Sequence, residues 1–414
     1  MPGIHRERPS ADAIAAATGA PAVDLGDGIW MSPGLSNSYL LQTGDGRIVV
    51  NTGMGFEGPL HGRAFDAVDT GPTKAVVLTQ GHYDHVGGIE SLRDDGTDII
   101  AHAAFATWRD DNERLEAFRV RNAAFAWMDA ILAAMAHANE VGTGATPQAR
   151  PEPTITFEDR LELTIGDREL VLLSTPGGET TDALVIWLPG SGTVLTGNLF
   201  GPLFGHVPNL VTMRGDRYRD ALTYITSLEL ILDLRPKRLI TGHFDPIEGA
   251  DRIGAEIEAM RDVMQWVHDR TVEGMNAGTD VHTLMREVTV PERFDVGEGY
   301  GKTSWNVRAI WENYSGWFHH RSTTELYDVP AAAVAHDVVA AAGSSGLLAA
   351  ARVRLEVGQA VAALHITDIV LAAEPEDAEA RALAAAATRA LLDSSSNFWE
   401  RAWLTRSLEQ LGAT

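Results

Sequence analysis

Two imidazoles and a carboxylate fall within four positions in the run Thr79-Gln80-Gly81-His82-Tyr83-Asp84-His85-Val86-Gly87-Gly88. Neutral imidazole and carboxylate are ligands suited to zinc or a similar divalent ion. Such an ion lowers the pKa of bound water from about 15.7 to about 7, which is the chemistry of hydrolysis near neutral pH. The run follows an apolar, β-branched stretch at 75–79. His82, Asp84 and His85 are therefore expected on a tight turn at a strand end, with side chains able to converge. Gly87 and Gly88 are expected to open the next helix without side-chain obstruction. Other histidines carry less signal. His61 and His102 read as structural or surface residues, and His206 as a loop histidine near enough in sequence to Asn198 to offer an imidazole. The chain has no cysteine, so thiolate ligands, disulfides and a cysteine nucleophile are excluded.

These residues need a scaffold, and the hydrophobic pattern supplies one. Strands are expected at 48–51, 75–79, 98–101, 161–165, 170–174, 183–188, 193–196 and 238–241. Helices are expected at 105–139, 220–234 and 253–268, the last with apolar spacing near 3.6. A Gly-, Pro- and Thr-bearing stretch at 142–153 reads as a loop. Strands alternating with helices imply an α/β fold with sheets inside and helices outside. From about Met275 the strand signals fade. Residues 331–411 are rich in Ala, Leu, Glu and Arg with helical periodicity, broken at Glu374-Pro375-Glu376-Asp377. The expected division is a catalytic domain over 1–275 and an all-α domain over 276–414.

Bulk properties narrow the function. A chain of 414 residues favours two domains. Its formal charge of −24 argues against nucleic-acid and anionic membrane surfaces as partners. A small anionic substrate stays open, because a metal ion and a few arginines can reverse the potential inside one cleft. No apolar run approaches the ~20 residues of a bilayer span. The polar first ten residues lack the apolar segment of a secretory signal, and a cytoplasmic protein is expected.

The run at 79–88 resembles the H-x-H-x-D-H motif of the metallo-β-lactamase superfamily, with Gln80 at the first His position. Asn51-Thr52-Gly53 looks like that family's first strand-end motif, which usually ends in Asp. Ser174-Thr175-Pro176-Gly177-Gly178-Glu179-Thr180 resembles its T-P-G motif, and Glu179 matches the ligand Glu of the alkylsulfatase branch. Leu195-Thr196-Gly197-Asn198 resembles the strand end whose acid bridges two metals. Thr241-Gly242-His243 resembles the last ligand motif. Asn209 to Arg217, with Arg214 and Gly215 inside it, is similar to the alkylsulfatase stretch that holds sulfate. Gly299-Tyr300-Gly301 and Asn306-Val307-Arg308-Ala309-Ile310 look like the start of that branch's dimerisation domain.

The resemblance implies an αββα metallo-β-lactamase sandwich followed by an all-α dimerisation domain. It implies one ion held by Asp84, His85 and His243, and a second, weaker position at Gln80, His82 and Glu179, with Asn198 between them. One ion or two, zinc with manganese or iron as alternatives, are both compatible with this set. Asp84 is expected to ligate and orient water. Arg214 and Asn209 are expected to hold an anionic group such as sulfate, with Tyr300 and Lys302 on the pocket wall. The implied activity is hydrolysis of a small-molecule sulfuric ester to alcohol and sulfate by a homodimer joined through its C-terminal helices. A metallohydrolase of carboxylic ester, lactone, β-lactam, thioester or phosphoester, and a degenerate ligand-binding homologue, are the alternatives.

Overall fold

A computed structural model describes residues 2–144 and 146–413. Thirteen strands form two sheets among these residues. The first holds seven: β1 (Val23–Asp24), β2 (Ile29–Ser32), β3 (Ser38–Thr43), β4 (Gly46–Val50), β5 (Thr73–Val77), β6 (Asp98–His102) and β7 (Ile155–Phe157), in chain order across the sheet. The second holds β8 (Arg160–Ile165), β9 (Arg168–Ser174), β10 (Leu184–Leu188), β11 (Thr193–Gly197), β12 (Arg238–Thr241) and β13 (Ile247–Glu248), also in unbroken order. Hairpin-linked neighbours are antiparallel. The β4–β5, β5–β6, β6–β7 and β11–β12 pairs are parallel, each spanned by a crossover.

Side-chain alternation along the strands sorts the core into layers. Leu41, Ile48, Val50, Ala75, Val77 and Ile100 of the first sheet face Leu170, Leu172, Leu184, Ile186, Leu195 and Ile240 of the second. The opposite face of the first sheet, with Leu40, Val49, Val76 and Ile99, is covered by Ala64 and Phe65 of helix α1 (Gly58–Asp66). The opposite face of the second sheet, with Val171, Val185, Val194 and Leu239, is covered by two helices. These are α4 (Ala221–Leu234) and α5 (Ala250–Asn276), the numbers α2 and α3 belonging to the short helix Tyr83–Val86 and the long helix Phe105–Glu140. The expected αββα sandwich is therefore present. The expected strands did not include β1 to β3, β7 or β13, of which β1, β7 and β13 are only two or three residues long, too short for a period to establish itself.

The first compact unit runs through Tyr314 and the second from Ser315 to Thr414, so the division falls later than the boundary expected at 275/276. The reason is packing. Helices α6 (Val281–Glu287) and α7 (Thr303–Ser315) contribute Val281, Leu284, Val307 and Ile310 to the core that covers β9 and β11. The second unit is all helical, as expected. The break at 374–377 is real: α10 (Ala360–Ala373) stops there, and Asp377 caps α11 (Ala378–Ser394) by accepting from the Ala380 amide at 2.8 Å. Its helices meet through small residues, Ala351, Ala360, Ala363 and Ala387, which let the backbones approach closely. No single helix among the described residues is long and apolar enough to cross a membrane.

One buried carboxylate ties the first sheet to the loops that reach the site. Glu57, fully buried just before α1, accepts from the amides of Ala17 and Leu35 at 2.9 Å each and of Met54 at 3.1 Å. Burial pushes its carboxyl up to about 7, against the pull of these three donors. Glu57→Ala would orphan three buried N–H groups at roughly 1 kcal/mol each, so we expect a stability loss of about 3 kcal/mol in urea titrations. Glu57→Gln keeps an acceptor oxygen and should lose less; equal stability of Glu57→Ala and the parent would show that these bonds carry nothing.

Candidate metal centre

The end of β5 is set by a neutral clamp. Asn51 sits in the left-handed region, φ 57°, at the end of β4. Its carboxamide oxygen accepts from the Thr79 amide at 2.9 Å and the Thr79 hydroxyl at 3.0 Å, which locks the two strand ends together one residue before Gln80. An acceptor is all this clamp requires, and Asn provides one where the related motif carries Asp. The chain then turns into α2, with His82 as its N-cap residue. Gly87 ends this one-turn helix, and Gly88 opens a single 3-10 turn at Ile89–Ser91, a shorter element than the helix expected there. A side chain on Gly87 would collide with Gln148, and one on Gly88 with the Thr52 carbonyl and the start of α1.

Asp84 and His85 on this turn meet His243, which follows β12 from the other sheet. One ligand atom from each of the three lies within 4.8 Å of the other two. His85 Nε2 is 3.5 Å from the Asp84 carboxylate, and the His85 and His243 rings cross at 87°. Burial lowers His85 to about 4 and lowers His243 as well, so both present neutral imidazole at neutral pH. Burial alone would raise Asp84, but the neighbouring His85, His82 and His243 hold it below the usual carboxylate range. His243 Nδ1 is buried without a hydrogen-bond partner. An orphaned imidazole nitrogen beside an ionised carboxylate and a second neutral imidazole is a donor set that fits a divalent cation. The Ser36 hydroxyl, 3.2 Å from His85 Nδ1 and 3.3 Å from the Gly242 carbonyl, links the two ligand turns from behind.

The other expected ligands are nearby and differently engaged. His82 Nδ1 lies 2.9 Å from Gln80 Nε2 and 3.2 Å from Glu179 Oε1. His82 Nε2 lies 3.0 Å from an Arg214 amino group. Glu179 Oε1 also receives Arg219 at 2.7 Å and Arg214 at 3.4 Å. The Asn198 oxygen is buried without a partner against Gly242, where any side chain would strike it. Gln80 Oε1 and Glu179 Oε2 are likewise buried and without partners.

These groups open on a cavity of about 230 Å³. His82, Asp84, Glu179, Asn198, Arg214, His243 and Tyr300 are among its lining residues, and Leu35, Met54, Trp127, Met128 and Ile131 supply apolar wall. Asn209 is not among them. It is buried, and its carbonyl accepts from Arg219 at 3.0 Å. His206 is also elsewhere, accepting from the Gly299 amide at 2.8 Å, and burial lowers it to about 4. His61 bonds the Ser32 hydroxyl and His102 the Glu158 carbonyl, both in structural roles.

Sequence reasoning missed the polar wall behind His82. Asp216 receives Arg214 Nε at 2.7 Å and faces Arg119 Nε at 3.1 Å. Burial would raise Asp216, but Arg214 and His82 hold it far below the usual range. Arg119 donates to Asn112 and stacks over Trp108, whose ring meets the His82 ring edge to face at 5.3 Å. Like Phe105, Ala134 and Ala138, the residues Trp108, Asn112 and Arg119 are buried positions on α3. Their spacing of four and seven places them on one face, and that stripe was the available signal.

Known proteins resemble this chain in sequence and fold. The metallo-beta-lactamase superfamily profile matches residues 31–243, and the alkyl sulfatase dimerisation profile residues 282–412. A linear primary-alkylsulfatase of Pseudomonas sp. is 25% identical over 396 residues, covering 90% of this chain and 73% of that protein. An alkyl/aryl-sulfatase of Saccharomyces cerevisiae is 24% identical, covering 82% of this chain and 55% of that protein. An (R)-specific secondary-alkylsulfatase of Pseudomonas sp. is 25% identical, with coverages of 82% and 54%. The chain thus spans little more than half the length of two of these three relatives. The solved structure of the stereoselective inverting sec-alkylsulfatase Pisa1 from Pseudomonas sp. superposes with a TM-score of 0.81 at 22% identity, over 95% of this chain and 66% of that one, a likeness of fold. The chain belongs to the metallo-beta-lactamase superfamily and carries an alkyl sulfatase dimerisation region after its sandwich.

Proposed function

We propose that this protein is a metal-dependent hydrolase of sulfuric esters, releasing an alcohol and sulfate from a small alkyl sulfate. The carrying observation is the joining of the Asp84–His85–His243 cradle to a cavity with cationic and apolar walls. When bound there, a divalent ion supplies Lewis acidity that brings a water's pKa to about 7. Zinc suits two imidazoles and a carboxylate best in this reading, with manganese and iron as alternatives.

The chain's own residues divide the remaining work. The ionised Asp84 carboxylate accepts a hydrogen bond and so orients the attacking water. Arg214 and Arg119 keep a fixed positive potential in the cavity wall. The Nε and NH2 groups of Arg214 are committed to Asp216 and His82. It therefore serves an anionic group mainly as a held charge, and less as the two-pronged fork expected from sequence. Leu35, Met54, Trp127 and Met128 offer apolar surface to an alkyl chain and exclude water from it. That same commitment of Arg214 favours a second reading, a neutral carboxylic ester or lactone as substrate. Pairing through the dimerisation region completes the proposal.

Purified, zinc-loaded protein should release sulfate from at least one member of a panel of primary and secondary alkyl sulfates, followed by ion chromatography. No release from any of them, with turnover of carboxylic esters or lactones instead, would transfer the assignment to the second reading. His243→Ala should lower turnover roughly 100-fold or more, since even outer-shell changes at metal sites cost 10–100-fold. Chelation should destabilise the fold: loss of an ion present at 100 times its Kd removes about 2.7 kcal/mol, read as a drop in Tm reversed by zinc. An unchanged Tm on chelation would mean that no resident ion had been bound. Light scattering should give a mass near twice the chain's 44.6 kDa; a monomer at micromolar concentration would remove the dimer from the proposal.

A further inference from the structure

The two nitrogens of His82 face different kinds of group, and this bears on how many ions the site can hold. Arginine donates hydrogen bonds and accepts none. An Arg214 amino group at 3.0 Å from His82 Nε2 therefore requires a lone pair on that nitrogen, the Asp216 carboxylate on the same side lying beyond hydrogen-bond reach at 3.8 Å. A neutral imidazole then carries its proton on Nδ1. The Glu179 carboxylate oxygen stands 3.2 Å from Nδ1 as an opposite charge. The Gln80 amide nitrogen stands 2.9 Å from the same Nδ1 while the Gln80 oxygen is buried without a partner, and exchanging the two gives the Nδ1 proton its acceptor.

An ion shared by Gln80, His82 and Glu179 would have to use Nδ1, the nitrogen that faces the other two. It would need the Nδ1 lone pair and so a proton on Nε2. That proton would point at an Arg214 N–H, donor against donor. The charges act in the same direction. Arg219 and Arg214 already neutralise Glu179, at 2.7 and 3.4 Å from its Oε1. Asn198 offers a neutral oxygen where an acid would offset two cations. The chain also holds Arg214 firmly. Thr212 and Met213 both take the left-handed conformation, φ 66° and 47°, which non-glycine residues adopt at a cost. Asp216 closes this turn through its carbonyl, which accepts from the Thr212 hydroxyl at 3.2 Å, and its carboxylate, which accepts from Arg214 at 2.7 Å.

We propose that Arg214 is a positioning residue that locks His82 in its Nδ1–H form and fills the role of a second cation, so that each chain binds one divalent ion, at Asp84, His85 and His243. This rests on the metal reading of those three residues and not on the sulfuric ester.

The experiment is zinc stoichiometry of the full chain by equilibrium dialysis and elemental analysis, with nitrogen-15 NMR of the histidine rings. Wild type should hold one zinc per chain, and the His82 signals, assigned by their loss in His82→Gln, should show protonated Nδ1 and unprotonated Nε2. Arg214→Met combined with Asn198→Asp should raise the count to two at the same free zinc and move the His82 proton to Nε2. Two ions in wild type, no ion in wild type, or a count of one in the folded double variant would each overturn the proposal. Should the double variant fail to fold, wild-type His82 with its proton on Nε2 would overturn it, and Nδ1–H with one bound zinc would uphold it. One zinc with no sulfate released would sink the sulfuric ester alone.

Discussion

Buried charge governs this site, because charged groups out of water are costly unless each faces an opposite partner. Three guanidiniums, Arg119, Arg214 and Arg219, and two carboxylates, Asp216 and Glu179, stand behind the His82 turn, all mostly shielded from solvent. None could be removed alone without leaving another uncompensated. The arrangement is therefore over-determined, and its members cannot choose their hydrogen bonds freely. His82 inherits its orientation from that constraint. Asp84, His85 and His243 lie closest to one another, although His82 and Glu179 also act on them, and their grouped donor atoms are available to a cation.

Placement of those donors depends on the two sheets. Asp84 and His85 come from the turn after β5, His243 from the turn after β12, and the sheets carrying those strands share one apolar interior. A shift between the sheets would move the ligand sets apart, so packing energy well away from the cavity fixes distances inside it. The backbone-capping Glu57, the Asn51 clamp and the Ser36 bridge act on the same problem locally. Each fixes a loop by hydrogen bonds to main chain, which constrains the path of the loop whatever its side chains do.

Much of this was legible in the residues. The strand before the ligand turn, β12, the long α3 and the helix break at 374–377 all carry strong periodic or capping signals, and the structure places them within a few residues of expectation. His82, Asp84, His85, Glu179, Asn198 and His243 were readable because short motifs at strand ends keep their spacing. What escaped has physical causes. Strands β1, β7 and β13 are too brief to express a period. The end of the first unit lies inside a helix whose amphipathic face, with Val307 and Ile310, could equally have served a separate helical domain. Asn209 carried the right residue type in the right stretch, yet its side chain is buried away from the cavity. Arg119 belongs to no motif and lies far in sequence from Asp216, which sits inside the 209–217 stretch without a role of its own assigned there. Only folding of the long helix against the 212–216 turn makes them neighbours.

The substitutions at Gln80 and Asn198 acquire a common meaning when charge is counted across the whole wall. A bridging carboxylate is needed between two divalent ions because their repulsion is large and their separation small. If a guanidinium takes the place of one ion, as proposed, the positive charge to be offset falls, and a neutral amide at Asn198 would suffice. A neutral amide at Gln80 likewise suffices where its partner is an imidazole N–H rather than a metal. Decay of an unused site would not be expected to leave these replacements matched to one another, or to preserve the strained 212–215 turn that aims Arg214. On the one-ion proposal, a cavity built this way would join one exchangeable cation to one that cannot dissociate. Part of its positive potential is thus independent of metal supply, and the rest is set by three side chains on two packed sheets.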